Sequence, residues 1–419
     1  MFEVLKKNDG KVVYIFYRVF KNLNKECEVE GVYITEVETI LLSCKVPGDK
    51  TWRLGGIAGQ PGWMGVKADM VIVKVYTDEG IVGLGEPSPY GGAIPLREAV
   101  ERLKPHLIGK DPFDVDLFPM PWRYGRNVDR LAMAGINMAC WDIMGKATGR
   151  PICQLLGGCR TDKVRVYASG GINWEFLKKP EILAKEAMEY LEQGFTAFKF
   201  RIGPDERFIN AIKAVRDAVG YDMDLMIEGN MRFRTPAEAI RMAKKFERYE
   251  PFWFEEPISG DNLEGYREIR RALPHIPITG GESKGSALEF KPWIDQRAYD
   301  IVQPDCNVMG ISEAKRVAYL ASLQGLLCCP HNWHNAITTA ANLHLVASIP
   351  NYLVLEMQRT WHWSCPAFRT EIVEEPLEPK NGYLEVPKKP GLGVELNEEA
   401  LKKYPFKEGP VQVPWKAGL

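Results

Sequence analysis

Seven polar residues end short apolar runs at nearly regular intervals in the second half of the chain. They are Arg201, Glu228, Glu255, Glu282, Asp305, His331 and Glu356, and 23 to 27 residues separate each from the next. Amphipathic stretches lie between them, so the pattern alternates strands with helices and predicts a parallel sheet. A (β/α) barrel of the TIM type allots about 31 residues to each unit and gathers the carboxyl ends of its strands at one mouth. The spacing therefore predicts that all seven polar groups surround one opening.

The composition is that of an ordinary folded protein. Of the 419 residues, 45% are hydrophobic and 26% are charged, and the formal net charge is -1. This balance gives no overall reason to bind nucleic acid or an anionic membrane, and the apolar run at residues 12–17 is too short to span a bilayer. Nine cysteines follow no CxxC or paired pattern, which is typical of a reducing cytoplasm. We therefore expect a cytoplasmic protein with no nucleic-acid partner, no membrane partner and no thiol chemistry.

The composition and hydrophobic pattern of the sequence divide the chain into four parts. Residues 1–30 are lysine-rich and predict an N-terminal extension that catalysis does not need. Residues 31–160 contain three strand-like runs followed by two helical stretches, which predicts an α+β capping domain. Residues 161–375 carry the barrel pattern. Residues 376–419 are rich in proline and glycine, and we expect this tail to pack back on the capping domain.

Three of the seven groups, Glu228, Glu255 and Glu282, are carboxylates on successive predicted strands. Any one of them alone is best read as a solvated strand end, but three like charges at one mouth require a cation. Three oxygen ligands that leave positions for water and substrate suit Mg²⁺, whereas zinc usually takes histidine or cysteine. The sequence thus predicts a magnesium site.

Asp305 and His331 end the next two predicted strands. Their natural interpretation is a carboxylate–imidazole pair in which Asp305 orients one ring nitrogen and the other exchanges a proton with substrate. His334, three residues further, has no such partner in the pattern, so we expect it only to line the pocket.

These strand ends resemble those of the mandelate racemase branch of the enolase superfamily, and the match extends over nearly the whole chain beyond residue 30. The resemblance implies a modified barrel with a capping domain, a homo-oligomer, and removal of the α-proton of a carboxylate to give an enediolate stabilised by Mg²⁺. It makes Glu228, Glu255 and Glu282 the metal ligands, Asp305 and His331 the catalytic pair, and Glu356 a hydrogen-bonding group at the substrate carboxylate. The motifs that carry it are Phe198-Lys199-Phe200-Arg201, the three glutamates, Pro304-Asp305, Pro330-His331 and Leu355-Glu356, with Pro390-Gly391-Leu392-Gly393 in the tail.

The sequence departs from that family at the second barrel strand. Much of this branch has Lys-x-Lys there, with the second lysine a base opposite the histidine, whereas this chain has Lys199-Phe200-Arg201. Arginine stays protonated, so Arg201 serves better as an electrophile than as a base, and Lys199 remains open as a second base. The first metal ligand is also unusual, being Glu228 where aspartate is commoner.

We expect loops of the capping domain to close the mouth over the substrate. Glycines beside Trp52, Trp63 and Arg53, and a second loop with Tyr90, fit a lid that excludes water from a polar anion. Trp52, Arg53, Tyr90, Asn230 and His334 are therefore the candidate substrate contacts, although an ordinary surface loop remains an alternative.

The leading prediction is a carbon–oxygen lyase that dehydrates a small-molecule sugar acid, an aldonate or aldarate, to a 2-keto-3-deoxy acid. The first alternative is a racemase or epimerase of an α-substituted acid. The second, from another class, is a non-catalytic barrel that serves as a binding protein. Loss of ring residues would favour that last alternative, but none of the seven positions holds an inert residue.

Overall fold

A computed structural model describes residues 31–54, 62–118, 127–361 and 365–415 of the chain. The predicted extension at residues 1–30, residues 55–61 of the predicted lid and residues 416–419 of the predicted tail lie outside these ranges. Within the described part, none of the helices is long and apolar enough to cross a membrane.

The N-terminal part combines a three-stranded antiparallel meander with helices. The meander pairs β1 with β4 and β4 with β5, in that order. The elements in chain order are β1 (Ile34–Lys45), β2 (Arg53–Leu54), β3 (Gly62–Gly65), β4 (Lys67–Thr77), β5 (Val82–Gly85), α1 (Ala93–Leu107), α2 (Asn127–Thr148) and α3 (Ile152–Leu155).

The central strand β4 is apolar on both faces because it separates two cores. Val71, Val73 and Val75 pack with α1 and α2 in the core of the capping domain. Met70 and Ile72 point the other way and belong to the main core that includes the barrel. Successive side chains of a strand face opposite sides, so this single strand joins the two domains through its packing.

Eight parallel strands follow and form a barrel. The sheet order runs β12-β11-β10-β9-β8-β7-β6-β13. A further bridge between Cys328 and Tyr352 links β12 to the segment that precedes β13. The strands are β6 (Lys163–Gly170), β7 (Ala197–Arg201), β8 (Asp224–Glu228), β9 (Pro251–Glu255), β10 (Ile278–Gly280), β11 (Ile301–Val302), β12 (Leu327–Cys328) and β13 (Leu355–Gln358).

Helices connect successive strands of the barrel and cover its outside. The predicted α/β barrel with an N-terminal capping domain is therefore confirmed. The connecting helices are α4 (Glu181–Glu192), α5 (Arg207–Val219), α6 (Pro236–Phe246), α7 (Leu263–Ala272), α8 (Ala287–Asp295), α9 (Cys306–Leu323) and α10 (Ala336–Ser348), and α11 (Pro366–Thr370) follows β13.

The C-terminal segment contacts both domains. Its elements are β14 (Tyr383–Glu385), α12 (Glu398–Leu401) and β15 (Gln412–Trp415). β14 pairs with β6 of the barrel, whereas β15 pairs with β3 and Pro405 bridges to Leu42 of β1. The boundaries at residues 30, 160 and 375 stay predictions.

The cysteines differ from expectation at one place. Cys153 and Cys159 form a disulfide beside α3, although the sequence analysis expected no paired cysteines. Their six-residue separation matches no recognised motif, and only the fold of the Gly157-Gly158 turn between them brings the two sulfurs together. The other described cysteines, including adjacent Cys328 and Cys329, are buried, as expected for small apolar side chains.

Candidate active site at the barrel mouth

The barrel interior consists of an apolar layer with a polar layer above it. The apolar cluster contains one residue from each of five strands and the residues directly next to β12 and β13. Because side chains alternate along a strand, the residue two positions further on lies on the same inner face, nearer the carboxyl end. The apolar layer is Tyr167, Ala197, Met226, Trp253, Ile301, Cys329 and Val354; two positions on, the residues are Ser169, Lys199, Glu228, Glu255, Gln303, His331 and Glu356, each at most 1% exposed.

Most of the predicted ring thus lies in this polar layer, but the ring residues do not all end strands. Arg201, Glu228 and Glu255 are the last residues of β7, β8 and β9. Glu282, Asp305 and His331 follow β10, β11 and β12 by two or three residues, and Glu356 is the second residue of β13. The prediction that each polar group ends its strand was therefore correct for three of them. It was wrong for Glu282, Asp305 and His331 because β10 to β12 are only two or three residues long, and wrong for Glu356 because β13 continues to Gln358.

Lys199 lies in the middle of the carboxylates. Its Nζ is 2.6 Å from Glu255 Oε1, 2.9 Å from Glu356 Oε1 and 3.3 Å from Glu228 Oε2. Burial opposes the charge of Lys199, but the three carboxylates outweigh it and raise its pKa well above the usual value. Lys199 is therefore a cation that balances the carboxylates, and it cannot accept a proton while it keeps these partners.

The pKa values of Glu255 and Glu356 shift in opposite directions within this cluster. Burial and the like charges of Glu228 and Glu356 raise the pKa of Glu255 to about 7, against the attraction of Lys199. For Glu356, burial is outweighed by Lys199, His331 and the backbone N–H of Asn332, and its pKa falls to about 2. The carboxylates at the mouth therefore carry more negative charge than Lys199 neutralises, and this excess charge favours the binding of a cation.

Arg201 spans from β7 to the loop after β12. Its Nε donates to Glu228 Oε1 at 2.9 Å, and its guanidinium lies 4.2 Å from the centre of the Trp333 ring. The side chain is buried, and a planar cation stacked on an aromatic face is held in one orientation. Arg201 thus presents a fixed positive charge at the mouth.

Asp305 and His331 form the predicted pair. Asp305 caps the N-terminus of α9 by accepting from Asn307 N, and its Oδ2 lies 2.7 Å from His331 Nδ1. His331 Nε2 faces the carboxylates, 3.3 Å from Glu282 Oε2. Burial disfavours the imidazolium, but Glu282, Glu356 and Asp305 together raise the pKa of His331 to about 10. Asp305 therefore fixes the proton of Nδ1, and Nε2 is the atom that can exchange one.

The expectation that His334 has no carboxylate partner was wrong. Its Nε2 lies 2.9 Å from Asp305 Oδ2, the same oxygen that contacts His331. The turn after β12 folds the His334 ring back, so that the two rings stand edge to face at 5.4 Å. Asp305, His331 and His334 also offer ligand atoms within 4.8 Å of one another, which is a second possible donor set for a metal ion.

The capping domain reaches the mouth at two places. The Tyr90 ring is 5.8 Å from that of His334, and with Glu282 it lines a cavity of about 290 Å³. On the other side, Trp52 is buried against Trp333, while Arg53 Nη1 pairs with Glu175 Oε1 at 2.9 Å. These contacts place part of the predicted lid over the barrel.

Asn230 follows Glu228 at the end of β8. Its backbone is left-handed, with φ of 46°, and its Oδ1 accepts from Arg232 Nη2 at 3.4 Å. Arg232 stacks on Trp174 at 4.6 Å from the ring centre. Asn230 therefore lies beside the predicted metal ligands, at the edge of the mouth.

Sequence reasoning missed two residues near the ring, Gln303 and Glu86. Gln303 lies two positions after Ile301 of the apolar layer, so strand alternation could have identified it. Glu86, from the capping domain, accepts from Asn335 N and Thr338 N at the start of α10. No sequence pattern could connect residues so far apart.

Comparisons with known proteins agree with this geometry. Residues 64–157 match the family model described as "Mandelate racemase / muconate lactonizing enzyme, N-terminal domain", and residues 182–400 match "Enolase C-terminal domain-like". D-galactarolactone cycloisomerase from Agrobacterium fabrum is 35% identical over 80% of this chain and 90% of its own length. D-gluconate dehydratase from Thermoproteus tenax is 32% identical over 82% and 71%, respectively. The crystal structure of the 3,6-anhydro-D-galactonate cycloisomerase from Zobellia galactanivorans is 33% identical, with a TM-score of 0.78 over 90% of this chain and 100% of that one.

Proposed function

The chain belongs to the mandelate racemase/muconate lactonizing enzyme branch of the enolase superfamily, and on that premise we propose that it dehydrates a sugar acid to a 2-keto-3-deoxy acid. Relatives of the chain are dehydratases of D-gluconate, arabinonate, D-galactonate and D-xylonate. The chain is accordingly an enzyme of the carbon–oxygen lyase class. The observation that carries the finer proposal is that one imidazole nitrogen, His331 Nε2, faces the carboxylates while Asp305 holds the other.

Glu228, Glu255 and Glu282 would hold Mg²⁺. Glu255 Oε2 is buried and has no hydrogen-bond partner among the described residues, so this oxygen is available as a ligand for a cation. When bound, the ion would withdraw charge from the substrate carboxylate and so acidify the neighbouring α-proton. The alternative set of Asp305, His331 and His334 contains two nitrogens and would favour zinc, so the two sets differ in metal preference.

Glu282 is among the carboxylates that raise the pKa of His331, and a cation held by Glu282 would offset that effect. His331 would then take the α-proton of the substrate on Nε2. Asp305 keeps the proton on Nδ1 in place and stabilises the imidazolium that forms. The imidazolium then returns the proton to the β-hydroxyl on the same face, which leaves as water, and the resulting enol becomes the 2-keto-3-deoxy acid. One group thus serves first as base and then as acid.

The opposite face of the site favours elimination over racemisation. Racemisation needs a second base there, but Lys199 is held by three carboxylates and Arg201 stays protonated. In this proposal Arg201 binds the substrate carboxylate. Glu356 would hydrogen-bond to that carboxylate only in its protonated form, because two ionised carboxylates repel each other. Trp52, Arg53, Tyr90, Asn230 and His334 contact the hydroxyl-bearing chain of the substrate.

The decisive experiment is a screen of stereochemically complete aldonates and aldarates with Mg²⁺ in deuterated water. We expect deuterated 2-keto-3-deoxy products from one or a few acids. Accumulation of an inverted α-epimer without keto product would instead assign a racemase or epimerase. Ring opening or closure of a sugar lactone without loss of water would assign a cycloisomerase, as in the Agrobacterium relative.

The metal assignment has its own test. Chelation should abolish turnover and Mg²⁺ should restore it, because the carboxylates alone cannot stabilise an anion. Glu255→Gln should weaken Mg²⁺ binding, measured by calorimetry, by more than about a hundredfold. The control is Glu268→Gln, an exposed position on α7. Unchanged Mg²⁺ affinity in Glu255→Gln, or activation by Zn²⁺ alone, would move the metal to the histidine set.

A further inference from the structure

Gln303 is a buried amide whose polar atoms are both unsatisfied. The side chain is 0% exposed. Neither Oε1 nor Nε2 has a hydrogen-bond partner in the described ranges of the chain. A buried amide that gives up its bonds to water without replacing them lowers the stability of the folded protein. Such a group in a native fold calls for a ligand or an ordered water.

The position of Gln303 points its amide into the mouth. Its backbone N–H donates to Gly280 O at 3.1 Å, so the ladder between β10 and β11 continues past Val302. Val302 packs in the outer core and Ile301 in the inner apolar layer. Alternation then puts Gln303 on the inner face, in the polar layer with Glu255 and His331.

The neighbouring strands add further unsatisfied atoms to this side of the barrel. Thr279 of β10 pairs with both Glu255 and Ile301 in the sheet register. Thr279 Oγ1 and Glu255 Oε2 are buried and, within the described residues, have no partner. Lys199 Nζ lies 2.6 Å from the other oxygen of Glu255, Oε1. Among the described residues, Gln303, Thr279 and Glu255 thus offer unsatisfied atoms on three neighbouring strands.

We propose that Gln303 is a substrate-contacting residue that recognises the α-hydroxy-carboxylate group. An amide offers an acceptor and donors side by side. A carboxylate only accepts, whereas a hydroxyl both donates and accepts. Oε1 would accept from the α-hydroxyl and Nε2 would donate to a carboxylate oxygen, which uses both unsatisfied atoms. This inference rests on the proposed function, since it takes a sugar acid as the ligand.

An ordered water that permanently satisfies the amide is the competing explanation, and the two make opposite predictions for Gln303→Leu. If the amide has no hydrogen-bond partner until substrate binds, leucine replaces an unsatisfied polar group with an apolar side chain of similar size. The thermal midpoint of the ligand-free protein should then stay the same or rise. If a resident water satisfies the amide, the same change breaks a hydrogen-bonded network and the midpoint should fall.

The experiment measures binding of a probe that cannot react. Calorimetry with Mg²⁺ and 2-hydroxy-2-methylpropanoate, an α-hydroxy acid without an α-proton, gives the affinity of the wild-type protein. Gln303→Leu and Gln303→Met should each bind it about tenfold more weakly. The preference of the wild type for this acid over 2-methylpropanoate, which lacks the hydroxyl, should shrink in both variants.

Asn351→Leu is the matched control. Asn351 Nδ2 donates to Ala318 O and Leu326 O at the opposite end of the strands, so its loss should lower the thermal midpoint and leave probe binding unchanged. If the Gln303 variants behave like this control, or bind the probe as the wild type does, Gln303 does not contact substrate. If the wild type binds neither acid and turns over no sugar acid, the proposed function fails and this inference fails with it.

Discussion

At the scale of single residues, Asp305 holds two imidazoles by accepting from both with one oxygen. Both Asp305 Oδ2 contacts are short, 2.7 Å to His331 and 2.9 Å to His334. Burial disfavours the charge of Asp305, but the two histidines outweigh it and hold its pKa below the usual range. Asp305 therefore stays ionised and holds a proton on His331 Nδ1, which leaves Nε2 as the nitrogen that faces the carboxylates.

The first prediction is that His331→Asn stops proton transfer without damaging the site. Exchange of the substrate α-proton with deuterated water, followed by NMR, should fall by at least about a thousandfold because asparagine cannot exchange a proton. Mg²⁺ affinity and the thermal midpoint should be preserved. His275→Asn, at an exposed position, should change neither property. Exchange at the wild-type rate in His331→Asn would assign the α-proton to another base.

The sequence predicted most of this site because strand ends are where barrels place chemistry. The Asp305–His331 pair follows from the spacing, whereas Lys199 was expected only as a possible second base from the family resemblance, and its position among the carboxylates was not predicted. The second bond of Asp305, to His334, did not follow from the spacing, because a turn of three residues can point a ring in several directions. Gln303 was not predicted because a neutral amide carries no charge that would mark it as part of the ring.

At the scale of elements, α2 is tied to the rest of the molecule through Asp142. Asp142 is fully buried, and its two oxygens accept from Leu84 N of β5 at 3.0 Å and from Leu392 N of the tail at 2.8 Å. Lys146 lies 3.0 Å from the same carboxylate. A single side chain thus joins a strand, a helix and the C-terminal segment.

The second prediction is that Asp142→Asn loosens the tail. One carboxylate oxygen becomes an NH₂ group that faces a backbone N–H, and Lys146 keeps only Glu395 of its two charge partners, so the free energy of unfolding should fall by roughly 2–3 kcal/mol. Limited proteolysis should cut first near residues 388–393. Asp222→Asn, at an exposed aspartate, is the control. Equal stability and equal cleavage in the two variants would contradict this role.

The third prediction concerns α10 and pH. His344 Nε2 donates to Leu392 O at 3.0 Å, and Nδ1 accepts from Cys153 N. Burial lowers the pKa of His344 to about 4, only partly opposed by the bond to Leu392. The unfolded chain, with a pKa near 6.5, binds the proton more readily, so stability is complete above pH 6.5 and is lost as the pH falls toward 4.

His344→Gln should remove that dependence, since glutamine keeps a donor and an acceptor but does not titrate. Between pH 7 and pH 4.5 the wild type should lose up to about 3 kcal/mol more stability than the variant. Thermal midpoints across the pH series measure the difference. Parallel curves for the two proteins would show that His344 keeps an ordinary pKa.

Helices and strands could be predicted from the sequence where the pattern that defines them lies within the element itself. The helix at residues 127–148 and the meander could be read from periodicity and turns. The short strands β10 to β12 could not be bounded, because their pairing is decided by neighbouring strands and not by their own residues. The disulfide depends in the same way on a turn.

At the scale of the whole molecule, Glu86 fastens the capping domain to the barrel. Glu86 Oε1 accepts from both nitrogens of Asn335, Oε2 accepts from Thr338 N, and its backbone oxygen accepts from Asn307 Nδ2. The carboxylate is buried at the N-terminus of α10, where the helix dipole favours negative charge. The capping domain thereby holds the turn that carries His331 and His334.

The fourth prediction is that Glu86→Ala impairs catalysis from outside the mouth. Three buried donors lose their acceptor, so the free energy of unfolding should fall by about 2–4 kcal/mol and kcat should fall with it. Glu86→Gln keeps one acceptor and the shape, and should recover part of both. Normal kcat in a destabilised Glu86→Ala variant would show that the contact serves stability alone.

The pairing of β15 with β3 sets an order of events during synthesis. Residues 412–415 leave the ribosome some 350 residues after their partners at 62–65. Domains commonly fold in the order in which they are made. Here the edge of β3 stays unpaired by β15 until the barrel has been translated, so a chain cut short by a premature stop lacks a pairing in the first domain as well as its missing C-terminal elements.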